Sequence, residues 1–74
     1  MTPAAELMLE RAAEVNAAGA KPVPSPCISI CRMDAASGLC EGCFRNLDEI
    51  AAWGLMREED KREVWQRIAR RASA

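Results

Sequence analysis

The chain contains no histidine and no tyrosine, and its aromatic residues are one phenylalanine and two tryptophans among 74 residues. Without histidine it lacks the commonest general base, and also the zinc patterns in which imidazole accompanies thiolate. No pairing of a nucleophile with a base stands out elsewhere, so no enzymatic activity is expected. Half of the residues are apolar, but alanine dominates that half and leaves little bulk for a core. A domain this small seldom obtains more than about 3–5 kcal/mol from its core alone, so a staple is expected. Charge of either sign is not in excess: ten Lys and Arg against eleven Asp and Glu leave a net charge of −1. Phosphate recognition normally shows as a basic surplus, which disfavours a dedicated nucleic-acid binder. No uncharged stretch is long and apolar enough to span a membrane. The N-terminal MTPAAELMLERAAE lacks the basic region and continuous apolar run of a secretory signal. A cytoplasmic, reducing location is therefore expected, where thiols stay free of disulfides.

What the chain does have is cysteine in one place. All four lie in the stretch CISICRMDAASGLCEGC, from Cys27 to Cys43. Three residues separate Cys27 from Cys31, two separate Cys40 from Cys43, and eight separate the pairs. Such short spacings let one turn aim two sulfurs at one ion, so the first reading is tetrahedral zinc held by four thiolates. Two disulfides would be the reading for a secreted chain. With all four sulfurs ligating, no coordination position is left for water, so the site is structural rather than hydrolytic. Four thiolates on a divalent ion leave surplus negative charge. Gly42 permits a tight bend whose amides approach sulfur, and Arg32 and Arg45 stand beside the ligands to offset that charge. By ligand count, iron or an iron–sulfur cluster is the alternative cofactor. Zinc is preferred because clusters usually draw ligands from wider or different spacings, and little apolar bulk is present to shield one.

Taken in order, the chain divides into a helical extension (1–20), a proline-rich linker (21–26) and a four-cysteine metal-binding domain (27–72). The expected fold is small, metal-stabilised and mainly α: a hairpin-like metal loop followed by a helical hairpin, with an extra N-terminal helix. The first helix is capped by Thr2, suits Pro3 at its first position and stops at Gly19. Its apolar stripe of Ala5, Met8, Leu9, Ala12 and Val15 is narrow, so a solvated extension is its ordinary reading. Alternating prolines at 22, 24 and 26 dictate an extended lead-in to Cys27, with a short SH3-type ligand the weaker reading. Ile28 and Ile30 alternate with Ser29 as in a short strand, and the residues from Asp34 to Gly38 carry turn chemistry. Asn46 and Glu49 form a capping-box pattern opening a helix that buries Leu47, Ile50, Ala51 and Trp53 and stops near Gly54. A last helix runs from about Arg57 to Arg71, acidic in its first turn and basic in its last. Its one apolar face holds Val64, Trp65 and Ile68, extended by the Lys61 stem and Ala72. These last two helices are expected to pack as a hairpin, with Trp53 and Trp65 supplying most of its buried area.

Ser25-Pro26-Cys27, the spacing to Cys31, Met33-Asp34, Ser37-Gly38-Leu39-Cys40, Gly42-Cys43, then Leu47-Asp48-Glu49-Ile50 and Trp53 together resemble the bacterial domain of unknown function 1289. Members of that family are often labelled predicted iron–sulfur proteins. The resemblance covers about Ser25 to Ile68. It implies four ligands, Cys27, Cys31, Cys40 and Cys43, in a small cytoplasmic protein with no assigned reaction. Two positions depart from the pattern: Phe44, where a small residue is common, and Arg57, where a Ser or Thr cap is expected. The resulting expectation is a binding or adaptor module whose partner is another protein. Trp53, Trp65, Arg67, Arg70 and Arg71 are the candidate partner surface. Electron transfer or redox sensing on iron is the alternative, and nucleic-acid binding through Arg62, Arg67, Arg70 and Arg71 a weaker one.

Overall fold

A computed structural model describes residues 3–18, 22–27 and 32–73. Thr2, Gly19, the alternation at 28–30 and Cys31 lie outside the described residues. Three helices dominate: α1 (Pro3–Ala18), α2 (Leu47–Ala52), extended by a single 3-10 turn over Trp53–Leu55, and α3 (Glu58–Ala72). Among the described residues there is no strand; Met33 bridges to Cys40 and Leu39 to Asn46 as isolated antiparallel contacts. Among the described residues no helix is long and apolar enough to cross a membrane.

The main packing is between α1 and α3, and it comes from one row on each helix. Ala5, Met8, Ala12 and Val15, spaced three, four and three residues apart, are all buried on α1. Opposite them lie Val64, Trp65, Ile68 and Ala72, Trp65 being 0 % exposed. Pro3 and Ala4 line the same cavity as Arg71, near the end of α3, whereas Val23, shortly after α1, bonds Glu58 at its start. The two helices therefore run antiparallel, an arrangement in which their dipoles attract. Burying a Val, Ile or Met side chain contributes roughly 1.5–3 kcal/mol, so the narrow stripe of α1 suffices when its larger neighbours come from α3. The N-terminal helix is thus half of the core rather than a solvated appendage.

The proline segment is bound down as well. Val23 and Pro26 are buried while Pro22, Pro24 and Ser25 are exposed, the three-residue period of a polyproline-type helix with one face against the protein. The segment is tied at three points: the Val23 N–H donates to Glu58 Oε2 at 2.6 Å, Trp65 Nε1 donates to the Pro24 carbonyl at 2.9 Å, and Arg11 donates to the Ser25 carbonyl at 3.2 Å. Arg11 also lies over the Trp65 ring, 5.5 Å from its centroid. Trp65 is accordingly a core residue with its one polar atom satisfied, and it offers nothing to a partner.

The expected hairpin of the last two helices is corrected in the same way: α3 packs chiefly on α1. α2 reaches only six residues and meets α3 through charge. Its capping box forms as the sequence suggests, Asn46 Oδ1 accepting from Glu49 N–H and Glu49 Oε1 from Asn46 N–H. The remaining capacity of the Glu49 carboxylate is taken by Arg71 (2.6 and 3.2 Å) and Arg67 (3.3 Å). Arg71 further donates to the Phe44 carbonyl at 2.9 Å. Arg67 and Arg71 therefore hold α3 to α2 and to the end of the cysteine loop; of the basic cluster, Arg70 is exposed.

At the start of α3, Arg57 occupies the N-cap with no side-chain hydrogen bond to the helix and pairs instead with Glu59 and Asp60. Replacing it by Ser is expected to stabilise the protein by about 1 kcal/mol, since a hydroxyl there satisfies an orphan N–H. Chemical denaturation checks this, and an unchanged or lower midpoint would show that the Arg57 ion pairs outweigh the cap.

Candidate metal centre

The loop from Arg32 to Asn46 is shaped by local hydrogen bonds. The Asp34 carboxylate accepts from Ala36 N–H, Ser37 N–H and the Ser37 hydroxyl, and the Asp34 carbonyl accepts from Gly38 N–H. The Ser37 hydroxyl and the Ala36 amide hold the exposed Asp34 carboxyl below its ordinary pKa. Gly38 has φ 72, and a Cβ there would meet nothing within 4 Å, so only backbone strain opposes substitution. Gly38→Ala is expected to cost about 1 kcal/mol and Gly38→Asn less, measured by thermal or chemical unfolding.

After this turn the chain reverses again at Cys40. Cys40 N–H donates to the Arg45 carbonyl, Phe44 N–H donates to the Cys40 carbonyl, and Glu41 N–H donates to the Arg32 carbonyl, each at 2.8 Å. This tight knuckle buries Cys40 and Cys43, which are 1 % and 2 % exposed. It also turns amides onto the Cys40 sulfur. Burial alone would raise the Cys40 pKa, yet the backbone N–H groups of Cys43, Gly42 and Arg32, with the Cys43 thiol, hold it below the ordinary thiol value. Gly42 is one of those three backbone donors. Arg32 contributes through its backbone; its exposed guanidinium pairs with Glu41 at 3.5 Å.

Arg45 contributes through its side chain. It is 4 % exposed, and its Nε donates to Cys43 Sγ at 3.3 Å. Its guanidinium carbon lies 5.2 Å from the centroid of the half-buried Trp53 ring, which also carries Lys61 Nζ at 5.7 Å. Trp53 thus packs against the core and carries two cations at its ring. The residue between Cys43 and Arg45, Phe44, has φ 59. A left-handed non-glycine residue costs roughly 1–2 kcal/mol, and the knuckle explains why a small residue suits the position. Its ring, packed against the core, and its carbonyl, held by Arg71, offset the strain.

The other pair is less fully described. Cys27 is exposed, with its N–H on Ser25 Oγ at 3.3 Å, and Cys31 lies outside the described residues. Among the described residues no group of three His, Cys, Asp or Glu side chains is arranged to hold a metal ion. Cys40 and Cys43 nevertheless have the chemistry of half a thiolate site: two adjacent buried sulfurs, one facing backbone amides and one facing a guanidinium. The residues present fit a metal ion carried on anionic sulfur. What the sequence did not reveal was the place of Glu49, legible only as a cap, and the stacking of Arg45 on Trp53, since neither pattern has a local signature.

A family model described as a protein of unknown function, DUF1289, matches residues 25–72. The matched span takes in the cysteine loop, α2 and all of α3, and leaves α1 outside it although α1 completes the core. Comparisons with curated proteins and with solved structures found no match.

Proposed function

The chain belongs to the DUF1289 family, and from that premise we propose that Cys27, Cys31, Cys40 and Cys43 hold a single zinc ion that stabilises a non-catalytic binding or adaptor module. One observation carries the reading: the buried pair Cys40 and Cys43 faces three backbone N–H groups and one guanidinium, donors suited to anionic sulfur and unexpected around neutral thiols. When bound, the ion supplies a cross-link between the two ends of the loop and no chemistry of its own, because four thiolates fill a tetrahedral sphere. The protein's own residues do the rest. Arg71 and Glu49 transmit the fixed loop to α2 and α3, and the reducing cytoplasm keeps the ligands available.

A protein partner is favoured over nucleic acid, since the chain carries no basic excess and Arg67 and Arg71 are already engaged. Leu47 and Leu55, 63 % and 92 % exposed at the two ends of α2 and its 3-10 turn, are the most exposed large apolar side chains among the described residues and the ones offered to it. Elemental analysis of protein expressed without metal supplements tests the site: one zinc per chain is expected. Iron with visible absorption and a reversible redox signal would replace the module by an electron-transfer or redox-sensing protein. A metal-dependent turnover, together with affinity capture that recovers no macromolecule, would overturn the non-catalytic reading.

A further inference from the structure

We infer that Arg45, roofed by Trp53, is a counter-ion dedicated to the cysteine site and tunes the thiolates electronically rather than merely packing the loop. The inference rests on the four-cysteine reading above and deepens it. Arg45 is buried, and a buried guanidinium without an anionic partner costs several kcal/mol. The sequence has eleven Asp and Glu residues, all within the described part of the structure, and none is in an ion pair with Arg45 there. Glu49, the one buried carboxylate, is taken by Arg67 and Arg71. What faces Arg45 instead is Cys43 Sγ at 3.3 Å and the π face of Trp53 at 5.2 Å.

Those two partners make sense together when the sulfur carries charge. A divalent ion on four thiolates has a net charge near −2, and a cation fixed beside one sulfur offsets part of it. Trp53 covers the pair and lowers its contact with water, which strengthens the attraction between guanidinium and sulfur. Lys61, also over Trp53, forms an ion pair with Glu58 at 3.9 Å and so has its own counter-charge. Among the described residues Arg45 has none but the sulfur. Trp53 is a positioning residue here, acting through Arg45.

Cobalt(II) loading of the full-length protein tests this, because the thiolate-to-cobalt charge-transfer band reports the energy of the sulfur lone pairs. Arg45→Gln is expected to move the band to longer wavelength, since sulfur electrons no longer held by a cation lie higher, and Arg45→Lys to restore most of the shift. Zinc affinity, measured by chelator competition, should fall about 10- to 100-fold in Arg45→Gln. Affinity alone does not discriminate, because binding and folding are coupled and any loss of packing lowers it; the band does. A band unmoved in Arg45→Gln overturns the inference and leaves the site itself standing. Should Arg45→Gln fail to fold, Trp53→Leu is read the same way, a smaller red shift supporting the inference and no shift overturning it. A wild-type protein that takes up neither cobalt nor zinc overturns the site and this inference together.

Discussion

Cys40→Ser is expected to yield a protein without stoichiometric metal and largely unfolded at room temperature. Cys40 lies at the centre of the loop. Its amide and carbonyl close the knuckle onto Arg45 and Phe44, it bridges to Met33, and its sulfur collects the amides of Arg32, Gly42 and Cys43. Serine keeps the backbone bonds and the volume but is a poor ligand, so the substitution isolates the metal term. That term is large: structural zinc contributes on the order of 10–16 kcal/mol of apparent binding free energy in finger-sized domains. The apolar core of a chain this small supplies only about 3–5 kcal/mol net. The large side chains of the core, Met8, Trp65 and Ile68, lie on α1 and α3, and among the described residues the loop joins it only through Cys40, Cys43 and the ring of Phe44, so the ion is the larger hold on the loop. Far-ultraviolet circular dichroism with elemental analysis decides the matter. A Cys40→Ser protein with wild-type helicity and melting temperature would show that the fold stands without the ion, and the proposed role of the site would go with it. Strong chelation of the wild type under reducing conditions should give the same collapse.

The elements with a local cause were legible in the sequence. Pro3 at a first helical position, the Asn46–Glu49 capping box, the Asp34–Gly38 turn and the apolar face of α3 all depend on residues within one turn of each other, and each was found. The stripe Ala5, Met8, Ala12 and Val15 was also legible as a stripe. What was hidden was its destination, because small residues gain little from burial until a large partner such as Trp65 is known to face them. The prolines misled for a related reason: an extended run reads as a linker unless one knows that Trp65 Nε1 reaches the Pro24 carbonyl. In the candidate site, spacing singled out the cysteines and Gly42, and sequence proximity singled out Arg45, which the structure places on Cys43 Sγ. It named Arg32 as well, whose side chain points to Glu41 while its amide serves Cys40; proximity alone does not separate a residue's backbone role from its side-chain role. The tertiary ion pairs of Glu49 lie 18 and 22 residues away along the chain, beyond any local pattern.

Glu49 is where the largest loss outside the cysteines is expected. Its side chain is 6 % exposed and accepts hydrogen bonds from Arg71, Arg67 and the Asn46 amide. Glu49→Ala leaves two guanidinium groups short of their anion and opens the capping box at once; removing one partner of a buried ion pair typically costs about 3–5 kcal/mol. Glu49→Gln keeps the volume and an acceptor oxygen, so it should cost less, and the difference between the two isolates the charge. Arg71→Ala in the Glu49→Ala background should cost less than in the wild type, because the arginine it removes has already lost its anion. Acid supplies an independent reading. Burial would raise the Glu49 pKa, but the Arg71 hydrogen bond and charge, the Asn46 amide and Arg67 outweigh it and hold the carboxyl below its ordinary value. A group depressed in the folded state contributes its stability in full above the unfolded pKa, about 4.3 for glutamate, and loses it as pH falls through the lower folded value. The wild type should therefore weaken progressively below about pH 4.3, and the Glu49→Gln protein should show a shallower decline over the same window. Equal acid profiles for the two, or a Glu49→Ala cost under about 1 kcal/mol, would mean that the three-way contact is no stronger than a surface ion pair and that α2 is held to α3 by something else.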